Sequence, residues 1–318
     1  MSPHIQNLEL MKWIKKGQIH QPDPNHSFGS TRLMCPTPLR LENDLLRIYA
    51  GFCDQNGISR LGYIDVSPQN PLKIIDISSQ PLLDLGKDGT FDDNGVVPHS
   101  IVRKDNKVYL YYTGFQQGVK VDYYMFCGLA VSDDNGQSFS RFQRTPILDR
   151  NNEDLYARAG VCVLLEPNHW KMWYIGSKGN GWVIHNGKKL PYYTMKQIES
   201  KDGFEWGKNS GKEVMAFKNE DEHGFGQPTV FLKDGNYHMI YSIRTLSKGY
   251  YLGYACSEDG YNWERKDDNF KLEGPIEKWE NKNTSYPSVI EIDGEILMFY
   301  NGNHMGKTGF GYAKLMKE

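Results

Sequence analysis

PTVFLKDGNYHMIYSIRTLSKGYYLGYACSEDGYNW, residues 228–263, decides the fold. Residues 228–233 form an apolar run, 237–243 alternate apolar and polar side chains, and 251–257 have strand composition again. A Glu258-Asp259-Gly260 turn then leads toward a fourth strand near Trp263. Nothing in the stretch has a helical period. It reads as four short antiparallel strands.

The strand that ends at Tyr241 recurs along the chain. Equivalent runs end at Tyr49, Tyr112, Tyr174 and Tyr300, and the tyrosines are 59 to 67 residues apart. The turn recurs as well, in Ser132-Asp133-Asp134-Asn135-Gly136 with Phe139, in Ser200-Lys201-Asp202-Gly203 with Trp206, and in Ser257-Glu258-Asp259-Gly260 with Trp263. Asp supplies an acceptor for its own turn, Gly supplies positive φ, and the aromatic packs back between sheets. These aspartates are hairpin chemistry rather than catalytic candidates. A period near 60 residues with four strands per repeat predicts an all-β chain, a five-bladed β-propeller. The fifth repeat stops after its third strand, near 312–315, and the stretch around Met11-Lys12-Trp13-Ile14-Lys15 is expected to supply the fourth and close the ring. One domain over 1–318 is expected, with blades near 28–88, 89–150, 151–218, 219–278 and 279–318 plus 8–20.

The 318 residues carry 37 Lys+Arg against 39 Asp+Glu, a net charge of −2. That balance excludes a general electrostatic grip on nucleic acid or an anionic membrane, because such a grip needs clustered uncompensated cations. No apolar stretch is long enough to span a bilayer. The five cysteines, Cys35, Cys53, Cys127, Cys162 and Cys256, are widely spaced with no Cys-x-x-Cys pair, so neither a disulfide frame nor a metal site is indicated. The start, Met1-Ser2-Pro3-His4-Ile5-Gln6-Asn7, lacks the pattern of a secretory signal, and a cytoplasmic location is expected. No cofactor is indicated, and either a central calcium ion or water could fill the channel.

In a propeller, the loops that enter the innermost strands and those that join second to third strands share one mouth of the central channel. The first set is 28–35, 89–98, 151–160, 219–227 and 279–286; the second is 51–60, 114–126, 176–196, 244–249 and 302–309. They bring Arg32, Arg60, Arg158, Arg244 and Lys307 as anion holders, since guanidinium groups bind phosphate and carboxylate bidentately. Each arginine could equally pair with a loop acid to stiffen the mouth. Asp92, Asp93, Glu153, Asp154 and Glu222 are the acids. Asp93 and Glu222 could face each other across the channel as acid and base, while Asp92-Asp93-Asn94-Gly95 also reads as a plain turn. His99 follows Pro98 on an inner strand, either as an alternative base or as a buried histidine bonded to backbone. Tyr193 and Tyr286 offer faces for sugar rings, with Gln227 as a further polar group. His185 and His304 sit on long loops, and 176–196, with Trp182, His185 and Tyr193, reads as a glycine-rich lid. Cys35 reads as a buried structural thiol.

The repeats and their turns resemble the five-bladed propellers of glycoside hydrolase families 43, 32, 68 and 130, across essentially the whole chain. That resemblance implies sugar chemistry and acids at the inner-strand starts. The residues 14 before each marker tyrosine are Cys35, Pro98, Gly160, Gln227 and Tyr286, and none is a carboxylate. The family triad is therefore not carried over. The phrasing of 91–98 and 306–313 further resembles glycosidase-like propellers linked to bacterial surface-polysaccharide synthesis. The expectation is a carbohydrate-active enzyme, hydrolase, phosphorylase or transferase, that takes a sugar, oligosaccharide or activated sugar. A non-catalytic sugar-binding propeller is the competing reading, and an isomerase or lyase using His99 and a tyrosine is a third.

Overall fold

The computed structural model describes residues 10–41 and 44–317. The chain start at 1–9, which includes the first residues of the expected closing strand, lies outside the described residues, as do 42, 43 and 318. The chain is nearly all β. Strand β1 spans Met11–His20. Four strands follow as one antiparallel sheet in chain order, β2 (Arg32–Arg40), β3 (Leu46–Cys53), β4 (Ser59–Ser67) and β5 (Asn70–Ile77). The second set is β6 (Val96–Lys104), β7 (Lys107–Gln117), β8 (Tyr123–Ser132) and the two-residue β9 (Ser140–Arg141). The third is β10 (Ala157–Leu165), β11 (Trp170–His185), β12 (Lys188–Ser200) and β13 (Lys212–Glu213). A short parallel contact, Ala157 beside Met125 and Arg158 beside Phe126, joins these two sets into one sheet.

The fourth set is β14 (Glu222–Lys233), β15 (Asn236–Thr245), β16 (Gly249–Ser257) and β17 (Glu264–Arg265). Strand β18 (Phe270–Glu273) lies parallel to β1. The last strands, β19 (Ser285–Ile292), β20 (Glu295–Asn301) and β21 (Phe310–Leu315), pair in order, and β1 adds antiparallel to β21. Two chain ends far apart in sequence thus share one sheet.

The cores lie between strand sets, not within one. Among the described residues, one apolar cluster joins the first set to the second around Tyr49, Leu110 and Tyr112, and another joins the second to the third around Tyr111, Trp170 and Trp206. Trp173 and Phe225 centre the contact of third with fourth, Tyr254 and Trp13 that of fourth with fifth, and Phe299 and Phe52 that of fifth with first. The first strands touch in the same cyclic order, β2 with β6, β6 with β10, β10 with β14, β14 with β19, and β19 with β2. Being covered on both faces, second strands such as β3 are buried throughout.

Turns fasten each set to its neighbour. Asp134, Asp202 and Asp259 accept hydrogen bonds from their own turn backbone and from Ser132, Ser200 and Ser257. The glycine carbonyls then accept from the preceding set, Gly136 from Tyr49 and Gly203 from Tyr111. The turn aromatics Phe139, Trp206 and Trp263 meet Tyr49, Tyr111 and Trp173 edge-on.

A second repeating device explains the marker tyrosines. Tyr112, Tyr174, Tyr241 and Tyr300 donate to carboxylates of Asp92, Asp154, Asp267 and Glu280 at 2.9, 3.0, 2.7 and 2.8 Å. Each carboxylate also meets a cation from the third or the outer strand: Arg141 at 2.7 Å, Lys196 at 2.8 Å, Arg265 at 2.8 Å and Lys15 at 2.9 Å. Lys15 on β1 takes the place that Arg141 on β9 and Arg265 on β17 take in their own sets. Burial alone would raise the Asp267 carboxyl; bonds from Lys218 and Tyr241 and the charge of Arg265 outweigh it and hold it low.

Candidate functional site

Each first strand is interrupted by a β-bulge near its start, between Met34 and Thr37, Pro98 and Ser100, Ala159 and Cys162, Gly226 and Thr229, and Ser285 and Ser288. An extra residue in one strand bends it and re-aims a side chain. Cys35, His99, Gly160, Gln227 and Tyr286 occupy these bulges, and all five line one cavity of about 540 Å³. Cys35, Gly160 and Tyr286 hold left-handed conformations, with φ of 56°, 60° and 54°. For the non-glycine pair that backbone costs about 1–2 kcal/mol per residue, so the surroundings must hold it.

The holding groups lie one residue past the marker tyrosines of the preceding set. Thr113 Oγ1 accepts from the Gly160 amide at 3.2 Å, Ser242 Oγ from the Tyr286 amide at 2.8 Å, and Asn301 Oδ1 from the Cys35 amide at 2.8 Å. Asn301 also donates to the Leu33 and Gly309 carbonyls. Where the bulge begins with Pro98, which has no amide proton, the matching residue is Ala50.

The cavity wall is aromatic and its charge is one-sided. Tyr123 and Tyr193 share a hydrogen bond at 3.0 Å between hydroxyls, and the rings of Tyr250 and Tyr286 lie 5.7 Å apart. Arg32 and Arg244 also line it, with Lys189 toward the rim; Asp122, an exposed residue, is the one carboxylate in the lining among the described residues. Burial pushes the His99 imidazole down to about 4, with the Gln227 amide opposing that shift from beside it. His99 is therefore neutral at pH 7. Its Nδ1 and both amide atoms of Gln227 are enclosed without an ordinary hydrogen-bond partner, and Gln227 is only 2% exposed. Buried polar atoms without partners are costly, so these are the groups a ligand would satisfy. The buried Cys35 thiol is pushed far up by burial, which leaves it protonated and poorly nucleophilic.

Of the residues singled out from the sequence, His99, Arg32, Arg244, Tyr193, Tyr286 and Gln227 come together here. Asp93, Glu222, Arg158, Arg60, Lys307, His185 and His304 do not. Asp93 accepts from the Gly89 amide at 2.8 Å and closes the loop, the turn role open to it in the sequence. Glu222 begins β14 several residues before the bulge, and its carboxylate accepts two bonds from Arg265, at 2.7 and 2.9 Å. Arg158, 1% exposed, points between sheets, donates to the Asp149 and Asn209 carbonyls and stands over the Tyr174 ring. Arg60 is paired with Asp54 and Asp84. Left-handed backbone at His304 and Met305 turns their loop so that Met305 reaches the cavity while His304 and Lys307 face solvent.

The expected lid at 176–196 is instead a hairpin extension of β11 and β12, with Trp182 opposite Pro191, His185 opposite Lys188, and an Asn186-Gly187 turn. Trp182 stacks on Tyr156 at 4.4 Å, and the Tyr156 hydroxyl bonds to the Gly181 carbonyl. His185 stands at the hairpin tip beside Asn186.

Tyr123 and Tyr250 were not singled out, although a signal existed. Tyrosine doublets, Tyr123-Tyr124, Tyr192-Tyr193 and Tyr250-Tyr251, stand at or near the start of the third strand in three successive sets, and one member of each reaches the cavity. Asn94, Thr113 and Lys189 carry no comparable pattern.

No protein-family model matches the chain. Two Mycobacterium tuberculosis proteins, "Uncharacterized protein MT1551" of strain CDC 1551 / Oshkosh and "Uncharacterized protein Rv1502" of strain ATCC 25618 / H37Rv, are each 30% identical to it over 305 residues, 96% of this chain and 99% of theirs. Among solved structures, one described as "Glycoside hydrolase" superposes with a TM-score of 0.73 at 17% identity, covering 98% of this chain and 93% of that one. A glycosyl hydrolase from Bacteroides ovatus gives 0.71 at 12%, covering 96% and 94%, and a thermostable family-43 glycoside hydrolase gives 0.67 at 19%, covering 93% and 91%. These likenesses establish a glycosidase-like fold. No helix among the described residues is long and apolar enough to cross a membrane.

Proposed function

Because the chain belongs to one family with the two Mycobacterium tuberculosis proteins and has the fold of glycoside hydrolases, we propose that it is a carbohydrate-active enzyme whose bulge-lined cavity takes a sugar or activated sugar. The observation that carries this reading is the convergence of His99, Gln227 and the tyrosines on that cavity, with enclosed, unpartnered polar atoms facing aromatic walls. A cavity of this size suits a monosaccharide with a substituent. Tyrosine faces cover the apolar faces of a pyranose, and amide and imidazole meet its hydroxyls. His99, neutral at pH 7, is the base that accepts the proton of a hydroxyl attacking the anomeric carbon or the phosphorus, and it returns that proton to the departing oxygen as the old C–O or P–O bond breaks. The two-carboxylate route of most glycosidases needs a pair of acids across the bond, and among the described residues the lining offers Asp122 alone. The reaction therefore runs through His99.

We read the cyclic contacts of the first strands as a five-bladed propeller, a single domain over 1–318 with β1 as outer strand of the last blade. A place in cytoplasmic surface-polysaccharide metabolism fits that reading. The lack of an acid pair favours one second reading, a propeller that binds a sugar without turnover. Incubation with sugar phosphates, nucleotide sugars and oligosaccharides, followed by NMR of the products, separates the two. Product with the native protein and none with His99→Gln supports the enzyme; saturable binding without product on prolonged incubation supports the binding protein.

A further inference from the structure

Arginines enclosed by this fold are consistently given acceptors. Arg47 meets Asp65 with two bonds of 2.8 Å, Arg141 meets Asp92, Arg265 meets Glu222 and Asp267, and Arg158 meets two carbonyls. Arg244 is the exception. Its guanidinium lies in the cavity, 5.9 Å from the Tyr193 ring centre and 5.7 Å from that of Tyr250, and among the described residues it has neither a hydrogen-bond acceptor nor a carboxylate. Arg32, on the same wall, has neither as well.

An arginine cannot shed its proton under ordinary conditions, so a half-buried guanidinium stays charged and keeps five donors to satisfy. Aromatic faces offset part of the desolvation but accept no N–H bond in its plane. What the site lacks is an oxyanion.

Resting on the sugar reading above, we propose that the ligand is an anionic sugar, one that carries a phosphate or carboxylate group, with its oxyanion seated on Arg244 and assisted by Arg32. The enclosed amide of Gln227 provides a donor and an acceptor to the sugar hydroxyls, and the His99 side chain lies beside it. The tyrosine hydroxyls add donors around the oxyanion. A neutral sugar offers both arginines hydroxyl acceptors but no counter-charge, and gains correspondingly less from them.

The test is calorimetric binding to the full chain at fixed ionic strength, with glucose, glucuronate, glucose 1-phosphate, UDP-glucose and inorganic phosphate as probes. The variants are Arg244→Gln, Arg32→Gln and, as a cation outside the cavity, Lys278→Gln. Anionic probes are expected to bind the native protein and Lys278→Gln at least tenfold more tightly than glucose. Arg244→Gln is expected to lose about 10- to 100-fold of that affinity, the worth of one charge-assisted pair. Thermal unfolding without ligand checks that Arg244→Gln folds; should it not, Arg32→Gln carries the test with a smaller loss. Glucuronate against glucose 1-phosphate distinguishes a carboxylate from a phosphate. Equal binding of neutral and anionic sugars, or anion binding unchanged in Arg244→Gln, overturns the oxyanion seat and leaves the sugar reading intact. Binding of inorganic phosphate that depends on Arg244, with no sugar bound, overturns the sugar reading and keeps the seat. No binding by any probe overturns both.

Discussion

Glu222 separates a carboxylate that holds the fold from one that performs chemistry. Its side chain is enclosed, 3% exposed, and accepts two Arg265 bonds and one from the Lys218 amide at 3.0 Å. Breaking a buried ion pair by removing one partner costs about 3–5 kcal/mol when the other charge is left bare. Here Arg265 keeps Asp267 at 2.8 Å, so the loss is smaller, about 2 kcal/mol for Glu222→Gln, which retains one acceptor, and about 3 kcal/mol for Glu222→Ala. At about 2 °C per kcal/mol for a chain of this size, the glutamine variant should unfold about 4 °C lower and the alanine variant about 6 °C lower. The assay is calorimetric unfolding beside ligand binding and turnover measured well below the transition. Both variants should bind and turn over as the native protein does. Native stability with binding or turnover reduced tenfold or more would refute the reasoning and return Glu222 to the reaction.

Three further outcomes are expected. Asp93→Asn, which weakens one turn bond, should cost less than about 1 kcal/mol and leave binding unchanged, as urea unfolding and calorimetry would show. His99 is held neutral, with its pKa at about 4 against 6.5 for an ordinary imidazole. The unfolded chain therefore takes up this proton first, and stability should fall as pH drops from about 6.5 to 4, by at most about 3 kcal/mol from this group; His99→Gln should flatten that part of the profile, and an unchanged profile would count against the buried neutral imidazole. Lys15→Met strands the Glu280 carboxylate beside Tyr300 and should cost about 3–5 kcal/mol, with early proteolytic release of β1 as the second readout; native stability would show that β1 does not depend on this bond.

The repeat was legible because its causes are local. An Asp-Gly turn, an aromatic after it and a buried second strand ending in tyrosine are written within a few residues of one another. The site was less legible because its membership depends on where each side chain leaves the backbone. Counting back 14 residues from each tyrosine reached four of the five bulges and missed His99 by one, since a bulge adds a residue that a count cannot see. Glu222 and Arg158 carry the right chemistry at the right distance along the chain, yet their partners, Arg265 and the carbonyls of Asp149 and Asn209, come from segments that no spacing rule connects to them. The glycines of 176–196 suggested movement, whereas Asn186-Gly187 uses its positive φ to make a tight hairpin.

The bulge residues are gripped by their amides, and the hands that grip them, Thr113, Ser242 and Asn301, belong to neighbouring strand sets. What such a scaffold fixes is a direction in space, whichever side chain happens to leave from it. Cysteine, glycine and tyrosine hang from equivalent hooks here without altering the hook. Chemistry can thus be exchanged one residue at a time with the frame untouched, and what must persist through such exchanges is the hydrogen bond behind the site.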